Sequence, residues 1–318
     1  MRINICQVSL NRDIPLIIEN FKNFKKFYQN INFFIICPNA QIEEFENKLN
    51  FDEIKIISED EVLEFKKFEY IYENLNKEIQ YKEQFNKRLK WYYQQVLKIT
   101  FAFNFISEKS ENIVIWDADT IILRKISFFK KDYSLKYGNF FESHKAYYHT
   151  NEYILKKLPK YFISSLNQFI AISKYEYTFF KDNFLKEKFI SISLGEKVTE
   201  LIFKGIFNKH KIYNGSLFSE YELIGQSNNL FKKEKQKPIL FLRFGLDGML
   251  SVGQKFLAIF LGYIHVTYEH SHPNKKSFGM LNRTQTWKGF IIILLKNFFK
   301  FYLRYFKHIL MYNFYKNK

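Results

Sequence analysis

Two aspartates set the first chemical expectation. Asp117 and Asp119 stand two residues apart in Ile115-Trp116-Asp117-Ala118-Asp119-Thr120. In an extended segment, residues i and i+2 project to the same side, so both carboxylates can face one point. Such oxygen donors suit hard divalent cations, Mg²⁺ or Mn²⁺, which often share their coordination with substrate phosphates. One aspartate would bind the ion while the other orients a water or a ribose hydroxyl. The competing reading is a pair of solvated turn carboxylates. The apolar strand Ile113–Trp116 in front of the pair favours a site. No Walker-type glycine-rich loop is present, which counts against ordinary ATP chemistry. Cys6 and Cys37 lack metal-ligand spacing and read as reduced thiols in neighbouring buried strands.

A carboxylate pair at a strand end needs a sheet behind it. Strands are predicted at 3–9, 32–38 and 54–57, with helices near 14–28 and 42–49 between them. A long helix over 81–105 then leads to the strand before Asp117. This alternation predicts an α/β domain with a mostly parallel central sheet. The near-continuous apolar strands fit burial on both faces. Ligands in such sheets bind beyond the carboxyl ends of the strands, where the aspartates stand. Further on, helices are predicted near 161–184 and strands near 239–243 and 262–266. With no repeat and no Gly-, Pro- or Ser-rich linker, residues 1–270 read as one domain.

The 318 residues carry a net charge of +17, with 47% hydrophobic and 20% aromatic residues. That apolar content excludes disorder as the main state. The charge is uneven: no acidic residue follows Glu269, while ten lysines and arginines do. Residues 271–318 therefore read as a tail with its own task. From Trp287 it is strongly aromatic. On a helix, Lys296, Lys300, Arg304 and Lys307 fall on one stripe, with Ile, Leu, Phe and Tyr around the rest. Such a helix can lie in a membrane interface, its basic stripe on anionic headgroups, or pack on the domain or on a second copy. Nucleic acid is the weaker partner, because the aromatic face is not built for base stacking. No run approaches the ~20 apolar residues of a membrane span. Met1-Arg2-Ile3-Asn4-Ile5 reads directly as a strand and not as a signal peptide. The expected location is the cytoplasmic face of a bacterial inner membrane, as a peripheral protein.

Three segments resemble a bacterial family of the GT-A class of nucleotide-sugar glycosyltransferases: Trp91-Tyr92-Tyr93-Gln94-Gln95-Val96-Leu97-Lys98, Ile115-Trp116-Asp117-Ala118-Asp119-Thr120, and Phe218-Ser219-Glu220-Tyr221-Glu222-Leu223-Ile224-Gly225. With the opening strand they span roughly residues 1–270; the tail lies outside. The resemblance implies a GT-A, Rossmann-like domain. It also implies a nucleotide-sugar donor, a UDP-sugar first, and Mn²⁺ or Mg²⁺ bridging Asp117, Asp119 and the diphosphate. A metal there stabilises charge on the departing diphosphate.

Further residues gain roles by the same resemblance. Gln95 and Lys98 lie on the helix beside the donor. Lys98 would pair with phosphate or be an ordinary solvated lysine, and of Gln94 and Gln95 at most one can face the ligand. Glu220 would take the proton of the acceptor hydroxyl in an inverting enzyme, its pKa raised by a partly apolar setting. In a retaining enzyme it would bind the acceptor instead. Ser219 would cap its helix, with Glu222 the reserve base. Some members of the class add a C-terminal histidine to the metal. His270 is the first choice in His265-Val266-Thr267-Tyr268-Glu269-His270-Ser271-His272, followed by His265. Lys275 and Lys276 would close over the diphosphate, and Arg243 and Asp247 would stand near the acceptor. The function implied is transfer of a sugar to a lipid-linked, lipooligosaccharide or capsule glycan. A metal-dependent nucleotidyl- or phosphotransferase and a non-enzymatic basic binding protein are the alternatives.

Overall fold

The computed structural model describes residues 2–75, 86–131, 133–140, 144–157, 163–185, 193–210, 215–232, 236–245, 250–269 and 287–316. The chain opens with β1 (Ile3–Val8), α1 (Ile14–Phe27), β2 (Ile31–Cys37), α2 (Ile42–Lys48) and β3 (Ile54–Ser58). The long α3 (Leu89–Lys109) returns it to β4 (Ile113–Trp116), which is followed at once by β5 (Thr120–Ile122). The later elements that matter for the site are α4 (Lys145–Leu155), β6 (Phe169–Ile172), α5 (Lys174–Phe184), α6 (Leu194–Lys209), α7 (Glu220–Lys232), β7 (Leu242–Gly245), α8 (Val252–Phe260), β8 (His265–Glu269) and α9 (Trp287–Lys316).

The five-stranded sheet runs β3-β2-β1-β4-β6. Its first four strands are parallel and β6 is antiparallel to β4. The expected α/β class with a mostly parallel sheet is thus observed. Side chains alternate across the sheet. Cys6, Ile113 and Ile115 face a cluster built on α3, α6 and α7, whereas Ile5, Val114 and Trp116 face one built on α1. Both faces are covered, which is why the strands read as unbroken apolar runs. Within the second cluster Phe24 meets Phe33 and Trp116 edge-on at 5.4 and 5.0 Å. Burying a ring of that size contributes roughly 2–3 kcal/mol. Both cysteines are buried and unpaired, as the sequence suggests.

A smaller sheet, β7-β8-β5, stands beside the first. β8 is parallel to β7 and antiparallel to β5, with Thr267 opposite Thr120. Asn20 of α1 accepts from Ile122 N at 2.9 Å, and Asn23 donates to Ile122 O at 3.1 Å, so α1 ties down β5.

Several expectations need correction. Of the helix expected over 81–105 the described part runs Leu89–Lys109, and the strand expected near 239–243 is Leu242–Gly245. The helix expected over 161–184 is confined to Lys174–Phe184, since Phe169–Ile172 is a strand on the edge of the main sheet. Its four apolar residues satisfy either period, and the boundary is marked by the Ser173–Glu176 capping box. The last strand begins at His265 and not near 262, because Gly262 takes φ +91° after the end of α8 and turns the chain. Ser219 does not cap α7 through its hydroxyl, which is buried without a partner. Gln95 Oε1 accepts from Glu220 N instead, at 3.3 Å.

α7 sits unusually close to the segment before β6. A Cβ built on Gly225 would lie 1.9 Å from Ser165 Oγ and 2.6 Å from Ser165 Cβ. Gly225→Ala is therefore expected to cost about 1–3 kcal/mol in urea unfolding through overpacking. Ser165→Gly in the same chain should recover part of that loss. An unchanged unfolding midpoint for the single variant would contradict the close approach.

α9 docks through Phe290, Ile293, Leu294 and Phe301 on a third cluster, with Leu16, Ile121, Leu242 and Tyr263. No described helix is long and apolar enough to cross a membrane.

Candidate active site

In the main sheet, chain order runs outward from β1 to β3 on one side and resumes at β4 on the other. The crevice beyond the carboxyl ends of β1 and β4 is therefore the point where the order reverses. Asp117 and Asp119 follow β4 there, both half-buried. Their turn is held from below and from the side. Trp116 Nε1 donates to Thr120 O at 2.7 Å, Thr120 N to Asp117 O at 3.1 Å, and Asp117 N to Gln168 O at 2.9 Å. Tyr268 N of β8 donates to Asp119 O at 2.8 Å. Thr120 Oγ1 lies 3.3 Å from Asp119 Oδ1 and 2.8 Å from Thr267 Oγ1.

Lys98 is not a solvated lysine. It is 3% exposed on α3 and ion-paired to Asp117 Oδ1 and, at 2.9 Å, to Glu220 Oε1. Tyr221 donates its hydroxyl to the same Asp117 oxygen at 2.5 Å, and its ring lies 5.2 Å from the Lys98 ammonium. Burial alone would pull the Lys98 pKa down. Asp117 and then Glu220 more than offset this, holding it above its ordinary value. Burial pushes the Glu220 carboxyl up, against the pull of Lys98, with Asp117 adding to the rise. The Tyr221 phenol is likewise raised, first by burial and then by Asp117. Two carboxylates, one ammonium and one phenol thus form a single buried network.

The donor set suits a hard divalent cation. Both contacts to Asp117 fall on Oδ1. Its second oxygen and the Asp119 carboxylate can then serve an ion completed by water and substrate phosphate, as Mg²⁺ and Mn²⁺ sites commonly are. Among the described residues no group of three or more His, Cys, Asp or Glu is arranged to hold a metal. Several buried polar atoms on the same elements lack partners: Gln7 Oε1 and Ser9 Oγ at the end of β1, Gln95 Nε2 on α3 and Ser219 Oγ just before α7. Gln7 Nε2 lies 3.5 Å from Asp117 O. Buried donors and acceptors left open in this way are what a polar ligand would satisfy.

The other anticipated residues divide. Glu220 joins the network but is 2% exposed, with its carboxylate turned to Lys98. Glu222 is fully buried elsewhere, accepting from Ser164 Oγ and from Gln226 Nε2. It is a packing element. His265 is buried between Phe241, Trp116 and Phe169, and neither ring nitrogen has a hydrogen-bond partner. Burial, followed by the charge of Arg243, pushes its pKa down to about 3. Arg243 is on β7 opposite Thr267. His270, His272, Asp247, Lys275 and Lys276 lie outside the described residues. Tyr221 and Gln7 were not anticipated. Tyr221 adjoins Glu220, but nothing in its type or spacing marks it as a partner of Asp117.

Residues 12–167 match the model of DUF6492, described as a family of unknown function. No curated protein sequence matches the chain. Among solved structures, the chain is similar to apo mouse xyloside xylosyltransferase 1, with 10% identity and a TM-score of 0.41 over 84% of this chain and 97% of that one. It is similar to the galactosyltransferase LgtC, in complex with donor and acceptor sugar analogs, with 9% identity and a TM-score of 0.39 over 87% and 92%. A third is the apo glycosyltransferase GlyE of Streptococcus pneumoniae TIGR4, with 11% identity and a TM-score of 0.35 over 94% and 64%.

Proposed function

We propose that the chain is a metal-dependent glycosyltransferase that takes a sugar from a nucleotide-sugar, a UDP-sugar first, and passes it to a lipid-linked surface glycan. The observation that carries this reading is the placement of Asp117 and Asp119 at the sheet's switch point, with Asp117 held by the buried Lys98 and by Tyr221. The resemblance of the three segments in residues 91–225 supports the choice of sugar transfer over nucleotidyl or phosphoryl transfer.

Asp117 and Asp119 would hold Mg²⁺ or Mn²⁺, which supplies charge stabilisation to the leaving diphosphate. Lys98 holds Asp117 by one oxygen and so fixes which oxygen faces the ligand. Glu220 keeps Lys98 in place. With its carboxylate turned inward, it serves better as a positioning residue than as the base first expected of it, and the acceptor's proton would pass to water or to the departing diphosphate. Gln95 caps α7 through its carbonyl and keeps its amide for the donor. His270 stays the candidate for a third metal ligand. Residues 1–270 would carry the chemistry, and 271–318 would hold the enzyme at the cytoplasmic face of the membrane where such acceptors reside.

A thermal-shift panel of UDP-, GDP- and CMP-sugars with and without Mn²⁺ tests the reading. One nucleotide is expected to raise the melting temperature only with metal. Asp119→Ala should abolish that shift and lower transfer by at least ~10²-fold while leaving the ligand-free melting temperature unchanged. A shift that survives in the variant defeats the metal assignment. No shift with any nucleotide defeats the transferase reading.

A further inference from the structure

α8 and α9 turn apolar side chains away from the protein. On α8, Val252, Phe256 and Phe260 recur at helical spacing and are 86%, 70% and 78% exposed, while the buried positions are Gln254 and Ala258. A helix on an ordinary soluble surface shows the reverse. On α9 the docked face is Phe290, Leu294 and Phe301, and the outward face includes Ile292, Phe299, Leu303 and Phe306. The inner faces of both helices share one cluster, through Leu257 and Ala258 on α8 and Phe290 and Leu294 on α9. The helices touch where Gly253 meets Trp287; a Cβ there would be 3.0 Å from the indole. Exposed Val252 and Trp287 stand at this contact, and with the outward side chains of both helices they make an apolar surface of a kind that marks an interaction.

Charge indicates what covers it. Exposed Lys296, Lys300 and Lys307 run along one border of the α9 apolar face, and no acidic residue follows Glu269. Burial, and then Arg304 and Lys296, hold the Lys300 ammonium below its ordinary value. An anionic plane relieves that repulsion and a neutral apolar partner does not.

We propose that α8 and α9 form a two-helix platform that docks on an anionic lipid bilayer, with the phenylalanines of α8 entering the acyl region beside those of α9. This deepens the membrane role proposed above for residues 271–318 by adding α8 to it, and it does not rest on the transfer chemistry. It assigns to α8 a role that composition reserves for the C-terminal helix alone. It also fixes an attitude: α8 turns at Gly262 into β8, whose Tyr268 N–H binds Asp119 O at 2.8 Å. β8 thus links the platform to the candidate site.

Co-sedimentation of the full chain with vesicles of phosphatidylcholine and phosphatidylglycerol, against phosphatidylcholine alone, tests the proposal. The wild type is expected to bind the anionic vesicles and to lose binding as salt rises. Phe256→Ser with Phe260→Ser should lower the partition coefficient on the order of tenfold or more. Lys296→Gln, Lys300→Gln and Lys307→Gln together should remove the preference for phosphatidylglycerol. These side chains are exposed, so unchanged melting temperatures verify the folds. Wild-type binding by the α8 variant overturns the role of α8. A wild type that ignores vesicles overturns the platform; if it is also a dimer that the α8 variant splits, the face belongs to a second copy. The metal-dependent nucleotide shift should persist in every variant, so failure of the platform and failure of the transferase reading are separately visible.

Discussion

Lys98→Met is expected to destabilise the protein by about 3–5 kcal/mol, the range for removing one partner of a buried ion pair. Lys98 is 3% exposed and its ammonium is shared between Asp117 and Glu220. Removing it leaves two carboxylates against an apolar wall, one of them 2% exposed. Adding Glu220→Gln to Lys98→Met should return part of the loss, because a neutral amide at that position no longer needs a counter-ion. Urea unfolding of the two variants and the wild type measures both effects. A loss below about 1 kcal/mol for the single variant is what a surface pair would give, and would place Lys98 in solvent after all.

The second large effect is expected in acid. His265 is fully buried among aromatic rings, and its pKa falls from 6.5 to about 3 on folding. Between those values the unfolded chain binds the extra proton and the folded chain does not, so stability rises with pH across the window. Stability is fully present above pH 6.5 and is lost progressively as pH falls. At about 1.4 kcal/mol per pH unit, this residue alone removes roughly 2–3 kcal/mol by pH 4.5. His265→Phe should abolish that share of the acid sensitivity. At neutral pH it should cost little, since neither ring nitrogen makes a hydrogen bond. Unfolding free energies at pH 7 and 4.5 decide it, and equal losses in both proteins would exonerate the histidine.

The frame of the site was legible because it rests on short-range signals. Near-continuous apolar runs located β1 to β4, and the apolar strand Ile113–Trp116 put Asp117 and Asp119 just past its end, where they stand in a turn and not in the extended segment that the i, i+2 spacing assumes. The network around them was not legible. Lys98 meets Asp117 and Glu220 from 19 and 122 residues away, and a lysine is by default solvated. Only the packing of α7 against α3 takes this one out of water. The reading of Phe169–Ile172 as helix failed because four apolar residues carry no period of their own, and only the Ser173–Glu176 box marks the break. α8 carries no mark of its own in the sequence: Val252–Phe260 mixes Gln and Lys with apolar residues, and nothing local says that its phenylalanines face outward.

The indole of Trp116 has one further consequence. Its ring belongs to the aromatic interior, 4.9 Å from Phe169 and 5.0 Å from Phe24, yet its single polar atom is spent on Thr120 O, which closes the aspartate turn. The two carboxylates are therefore not a loop that could be transplanted or relaxed without regard to what lies beneath. A lineage that repacks this interior also re-aims its aspartates. Substitutions at Phe24 or Phe169 that preserve volume but shift the indole will register as altered ligand affinity before they register as altered stability, so inheritance at those two positions should track the ligand and not merely the fold.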